Sequence, residues 1–86
     1  MRMALSDDVA RLTSVMVREH VADGRAGQLR VAGRMSHSEL GKVCGVSGAL
    51  VQEWERGTLH PTTAQGLQWL DALYGAQWRY RDRGMS

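Results

Sequence analysis

The chain has 86 residues, a formal charge of +2, a sequence pI near 9.2 and a single cysteine. A chain of this length makes one domain, residues 1–86, and buries only about 60 to 65% of its unfolded surface, which leaves little room for an enclosed catalytic pocket. One cysteine excludes an internal disulfide, and with no long apolar run and no charged-then-apolar leader the expectation is a cytoplasmic protein without membrane contact.

Ser6, Asp7 and Asp8 form a helix N-terminus, where anions meet the positive end of the helix dipole. Val9, Leu12, Met16 and His20 follow at three- and four-residue spacing, with Leu5 ahead of the cap, and predict an amphipathic helix over 7–22. Asp23, Gly24 and Gly27 break or weaken that helix before a short second one, Arg25 to Gly33, which carries Leu29 and Arg30. Each interior glycine costs about 1 kcal/mol relative to alanine, so tertiary packing must hold this piece.

Ser36 and Glu39 stand at the spacing of a capping box and open a third helix. Leu40 and Cys44 share one face with Val43 beside them, and Gly41 marks a place where a neighbour can approach closely. Gly45 stops the helix in the left-handed conformation, Val46 folds back onto the apolar face, and Ser47 caps a fourth helix. In that helix Val51 and Trp54 point inward while Gln52, Glu53 and Arg56 point outward. Gly57 ends it and Pro61 prevents its early resumption. Cys44 occupies an apolar position and reads as a small hydrophobe rather than a redox or metal group.

Thr62 caps a last helix with Ala64, Leu67, Leu70 and Leu73 as its apolar stripe, Trp69 and Tyr74 widening it and Asp71 turned outward. From Gln77 to Arg81 the alternation of Trp78 and Tyr80 with Arg79 and Arg81 has the period of a strand. Tyr74 and Trp78 are also four apart, so a helical extension past Gly75 fits equally, and both readings stand. Arg79, Arg81 and Arg83 make this end basic and able to meet phosphate. The fold class is therefore all-α: a small bundle of about five helices containing a helix-turn-helix, with a C-terminal strand or helical extension over 74–86.

The segment from Ser36 to Pro61 resembles the lambda repressor/Cro-like (XRE-type) helix-turn-helix family. The residues that carry the resemblance are Ser36, Leu40, Gly45, Val46, Ser47, Val51, Trp54, Glu55, Gly57 and Pro61, with Arg30 six residues ahead of the first cap. The resemblance covers roughly residues 24–73, the helix-turn-helix core, and leaves 7–22 as an added helix that braces the core, extends the family's first helix through a kink at Gly24, or contacts a second subunit. Bracing is favoured, because its apolar stripe is only moderately wide. The resemblance implies that Arg30 pairs with Glu55 to aim the recognition helix. It implies a DNA-facing set of His37, Ser47, Gly48, Ala49, Gln52, Glu53, Arg56 and Thr58. His37 stands where the family often has glutamine, a position that touches phosphate or base. Gly48 and Ala49 offer no polar side chain, so base reading rests on Gln52 toward adenine and Glu53 toward cytosine, with Ala49 able to touch a thymine methyl.

These features imply a sequence-specific regulator of double-stranded DNA, most plausibly a small phage-type or prokaryotic repressor. It would bind an inverted-repeat operator through the major groove as a homodimer, in the cytoplasm of a prokaryotic cell or phage-infected host. The alternative is an antitoxin-like or other protein-partner-binding module on the same frame, favoured because Gly48, Ala49 and a Leu50 expected to be exposed make the reading surface smaller and more apolar. His20, His37 and His60 are scattered, with no metal-ligand spacing, no phosphate cradle and no nucleophile with an evident base. No catalytic residues, metal, cofactor or small-molecule ligand are expected.

Overall fold

Capping side chains and glycines decide where the helices begin and end. The computed structural model describes the backbone of residues 7–85 and the side chains of residues 7–76. It is all-helical, with α1 (Asp7–Ala22), α2 (Arg25–Ala32), α3 (His37–Cys44), α4 (Gly48–Arg56) and α5 (Thr63–Met85), and no strand among the described residues. The cap expected at Ser6 and the contact expected of Leu5 lie outside the described residues. Gly24, in the left-handed conformation, separates α1 and α2 into two distinct helices. At the head of α5, Thr62 accepts from the Gln65 amide at 3.2 Å and returns its own amide to the Gln65 side chain at 2.9 Å.

The long α5 is the spine against which α1, α2 and α3 pack. Its Trp69 lies fully buried against Trp54 of α4, ring centroids 5.2 Å apart and tilted by 49°. Leu40, Val51 and Leu73 complete the deepest layer, each worth about 1.5 to 3 kcal/mol of burial. The Trp69 indole N–H is buried without a hydrogen-bond acceptor among the described residues.

Three faces are rotated from the sequence expectation. In α1 the buried residues are Thr13, Val17 and His20, while Leu12 is 61% exposed and Val9 38%. The cause is Gly66 of α5, against which Thr13 and Val17 lie so closely that a Cβ there would stand 3.3 and 3.2 Å from their methyls. In α5 the buried residues are Gly66, Trp69, Leu70, Ala72, Leu73 and Ala76, and Ala64 and Leu67 face outward. Small residues sit where α1 and α2 press in: a Cβ at Gly33 would come within 2.8 Å of the Ala76 Cβ. Val43 also faces outward from α3, at 49% exposure.

The strand reading of 77–81 gives way to helix, since α5 continues unbroken through Gly75 to Met85. A continuing helix satisfies its own backbone groups, whereas a lone strand leaves a row of them unpaired. The expected apolar face of Trp78 and Tyr80 and the basic cluster of Arg79, Arg81 and Arg83 lie outside the described side chains. No helix among the described residues is long and apolar enough to cross a membrane.

Candidate nucleic-acid interface

The turn between α3 and α4 is built by backbone contact. Ser36 and Glu39 form a reciprocal capping box, Ser36 Oγ accepting from the Glu39 amide at 3.0 Å and the Ser36 amide donating to Glu39 Oε1 at 2.9 Å. The bond from the Ser36 amide, followed by that to its side chain, holds the Glu39 carboxyl below its ordinary value. Gly45 at φ 73° turns the chain so that the Val46 amide reaches the Gly41 carbonyl at 2.8 Å. A Cβ on Gly41 would lie 2.6 Å from the Val46 carbonyl oxygen, and one on Gly48 would lie 2.9 Å from the Ser38 amide. The N-terminus of α4 is thereby pressed onto the N-terminus of α3. Ser47 caps α4 by accepting from the Leu50 amide at 3.1 Å. Beneath the turn Cys44 is buried, and burial pushes its thiol up from its ordinary value.

Val51 and Trp54 anchor α4 in the core, which leaves Ala49, Gln52, Glu53 and Arg56 on its other side, at helical spacing along one face. Ala49 and Gln52 are exposed and Glu53 is half-buried. Glu53 Oε1 accepts from the Thr58 hydroxyl at 3.1 Å and stands 3.6 Å from an Arg56 guanidinium nitrogen. Arg56 keeps 63% of its side chain in solvent. Thus Thr58, expected to face DNA, is engaged in closing the end of α4, and Ser47 in opening it. Gly48 faces Ser38 rather than a free surface.

Under this helix the Glu55 carboxylate gathers three elements. Arg30 of α2 donates through Nε to Oε2 at 2.6 Å and through Nη2 to Oε1 at 3.4 Å, while its Nη1 holds the Met35 carbonyl at 2.9 Å. His37, the first residue of α3, sits with Nε2 3.1 Å from Glu55 Oε1. A carboxylate only accepts, so Nε2 carries the hydrogen and Nδ1 is the ring nitrogen left for another partner. His37, expected to touch phosphate, is thus engaged with Glu55 through Nε2. The side chains of Arg30 and Glu55 are 16% and 14% exposed, so the pair is largely removed from water. Gly27 makes room for it, since a Cβ there would lie 3.3 Å from Glu55 Oε1.

A second polar contact had no separate signal in the sequence. His20, 3% exposed, holds the Met16 carbonyl through Nδ1 at 2.6 Å and the Tyr74 hydroxyl through Nε2 at 2.6 Å. The carbonyl can only accept, so Nδ1 carries the hydrogen, and a ring protonated on that nitrogen alone accepts at Nε2 from the Tyr74 hydroxyl. The two rings meet edge to face, centroids 5.7 Å apart, and tie α1 to α5.

Among the described residues no group of three or more His, Cys, Asp or Glu is arranged to hold a metal. No family model matches the chain, and neither a curated protein nor a solved structure matches it.

Proposed function

We propose that this protein is a sequence-specific regulator of double-stranded DNA, a small repressor of the lambda repressor/Cro-like kind that lays α4 in the major groove. The observation that carries the reading is α4 itself: a nine-residue helix, capped at both ends, whose outward face of Ala49, Gln52, Glu53 and Arg56 is not covered by another element among the described residues. An α-helix with its side chains is about 10 to 12 Å across, which fits a major groove about 12 Å wide. Gln52 bonds an adenine edge in two places, Ala49 meets a thymine methyl, and Glu53 accepts from a cytosine amino group. Arg56 contacts phosphate, joined by His37 when its ring carries a hydrogen on Nδ1 as well as on Nε2, and sets the register of the protein on the duplex. Two copies on an inverted repeat, half-sites about 34 Å apart, would place one α4 in each of two successive major grooves, and repression follows from occlusion of a promoter in a prokaryotic cell or phage-infected host.

A partner-protein module on the same frame is the second reading. It is favoured by the engagement of Glu53 with Thr58 and Arg56 and by the exposed Leu59, whose amide lies at the Glu53 carbonyl.

Selection of duplexes from a random pool by the purified protein separates the two, followed by anisotropy titration of the selected duplex and a scrambled one at several salt concentrations. An enriched inverted repeat bound far more tightly than the scrambled duplex supports the regulator. Weak and equal binding to both rejects it in favour of the partner module. Gln52→Ala should relax preference at one base position by about 1 to 3 kcal/mol, whereas Arg56→Ala should weaken all duplexes alike.

A further inference from the structure

The added helix α1 is outside the region of the family resemblance, and it forms one wall of a cleft. The cleft, about 200 Å³, lies between α1 and the segment that joins α4 to α5, with Ser14, Val17 and Arg18 on one side and His60, Pro61 and Thr63 on the other. Its floor is apolar: at Gly66 a Cβ would stand 3.2 Å from a Val17 methyl and 3.7 Å from the Pro61 ring. Its rim is cationic and hydroxylic, and none of the residues lining it carries a carboxylate.

Arg18 and His60 differ from several basic side chains elsewhere in the fold. Arg25, Arg30 and Arg56 are each held by a carboxylate, from Asp23, Glu55 and Glu53 respectively. Arg18 and His60 are exposed and have no hydrogen-bond or ion-pair partner among the described residues. A guanidinium and an imidazole N–H facing one cleft without a counter-charge make a place for an oxyanion, which the guanidinium fork engages through paired hydrogen bonds.

The cleft also lies at the end of α4. A Cβ on Gly57 would lie 3.1 Å from a Val21 methyl, so the last turn of α1 passes beside the end of α4, and His60 follows three residues later. A duplex lying along the outward face of α4 and continuing past its end would bring its backbone toward this cleft.

We infer that this cleft seats a phosphate group between Arg18 and His60, and that the phosphate belongs to the backbone of the duplex that α4 reads. The inference rests on the proposed DNA-binding function and gives α1 a part in it. Ser14 and Thr63 supply hydroxyl donors at the rim, and the contact adds affinity without base preference.

The test uses the full chain with Arg18→Ala and His60→Ala, both at exposed positions, and their melting curves verify folding. Anisotropy against the selected and scrambled duplexes is measured over a range of salt. Arg18→Ala should lower the slope of log Kd against log salt by about one for both duplexes, with base preference unchanged. An unchanged slope in both variants, while Arg56→Ala still flattens it, overturns the inference and leaves the DNA-binding reading intact. If the wild-type protein binds neither duplex, that reading fails instead, and inorganic phosphate at constant ionic strength becomes the probe by NMR. Saturable shifts at Arg18 and Thr63 that vanish in Arg18→Ala retain the phosphate site with free phosphate as occupant, and their absence overturns it.

Discussion

The Arg30 guanidinium and the Glu55 carboxylate, 25 residues apart, meet at 2.6 Å beneath the outward face of α4. Removing one partner from a largely buried pair strands the other charge, so Arg30→Ala should cost about 3 kcal/mol, the lower end of the range for buried pairs because both groups keep some contact with solvent. For a domain of this size that is a fall in melting temperature of roughly 12 °C or more. Calorimetry of Arg30→Ala, Glu55→Ala and the apolar double variant Arg30→Met/Glu55→Leu is the check. The double variant should be more stable than either single one, and additive losses would deny the coupling.

Gly48 stands where the family resemblance placed a base contact, yet its Cα faces the Ser38 backbone at a distance that excludes a side chain. Gly48→Ala should therefore destabilise by about 1 to 3 kcal/mol through forced separation of α3 and α4. Gly41→Ala, with its Cβ 2.6 Å from the Val46 carbonyl oxygen, should be at least as costly. Urea titration gives both values, and a neutral Gly41→Ala would contradict the tight turn.

Tyr74 and His20 test how α1 is fastened. Tyr74→Phe keeps the ring contact but leaves the buried Nε2 of His20 without its donor, a loss of about 1 to 3 kcal/mol. Hydrogen exchange should then rise first in α1. Uniform exchange across the chain would show that α1 does not open separately.

The acid limb of stability follows from two exposed carboxyls. Glu39 is held below its ordinary 4.5 by Ser36, its backbone bond first, and Asp23 below its ordinary 3.8 by Arg25, the side-chain bond first. A carboxyl depressed in the folded state contributes fully above its unfolded value, and that contribution fades as pH falls through the folded value. The contribution of this pair should be constant from neutral pH to about 5 and decline below about 4.5. Glutamine preserves the capping geometry without titrating, so the melting-temperature gap between wild type and Glu39→Gln should shrink below that pH. A gap independent of pH would remove Glu39 from the acid response.

Cys44, buried and with its thiol pushed up by desolvation, should resist alkylation in the native protein at neutral pH. Mass spectrometry after iodoacetamide treatment should find modification only as denaturant unfolds the chain. Rapid labelling of folded protein would place the thiol at the surface.

The helix ends were legible in the sequence because capping is local. Ser36 with Glu39, Gly45, Ser47, Gly57 and Thr62 each act within a few residues, and chemistry at that range does not depend on the rest of the fold. Those signals by themselves determined an all-α bundle with a tight turn between α3 and α4, while strand and helix stayed equally open for 77–81. The rotation of α1 and α5 was decided only by tertiary packing. Leu12 and Leu67 fit their helical stripes as well as their neighbours do, but close approach at Gly66 turns Thr13 and Val17 inward instead, and leaves Leu67 at the surface beside the buried Trp69 that the stripe did include. Periodicity describes one helix, and which of two adjacent faces is buried depends on the shape of the surface it meets. For the same reason the His20–Tyr74 bond and the place of His37 beside Glu55 were out of reach of local pattern: each joins side chains distant in sequence, and only the folded chain brings them within hydrogen-bonding distance.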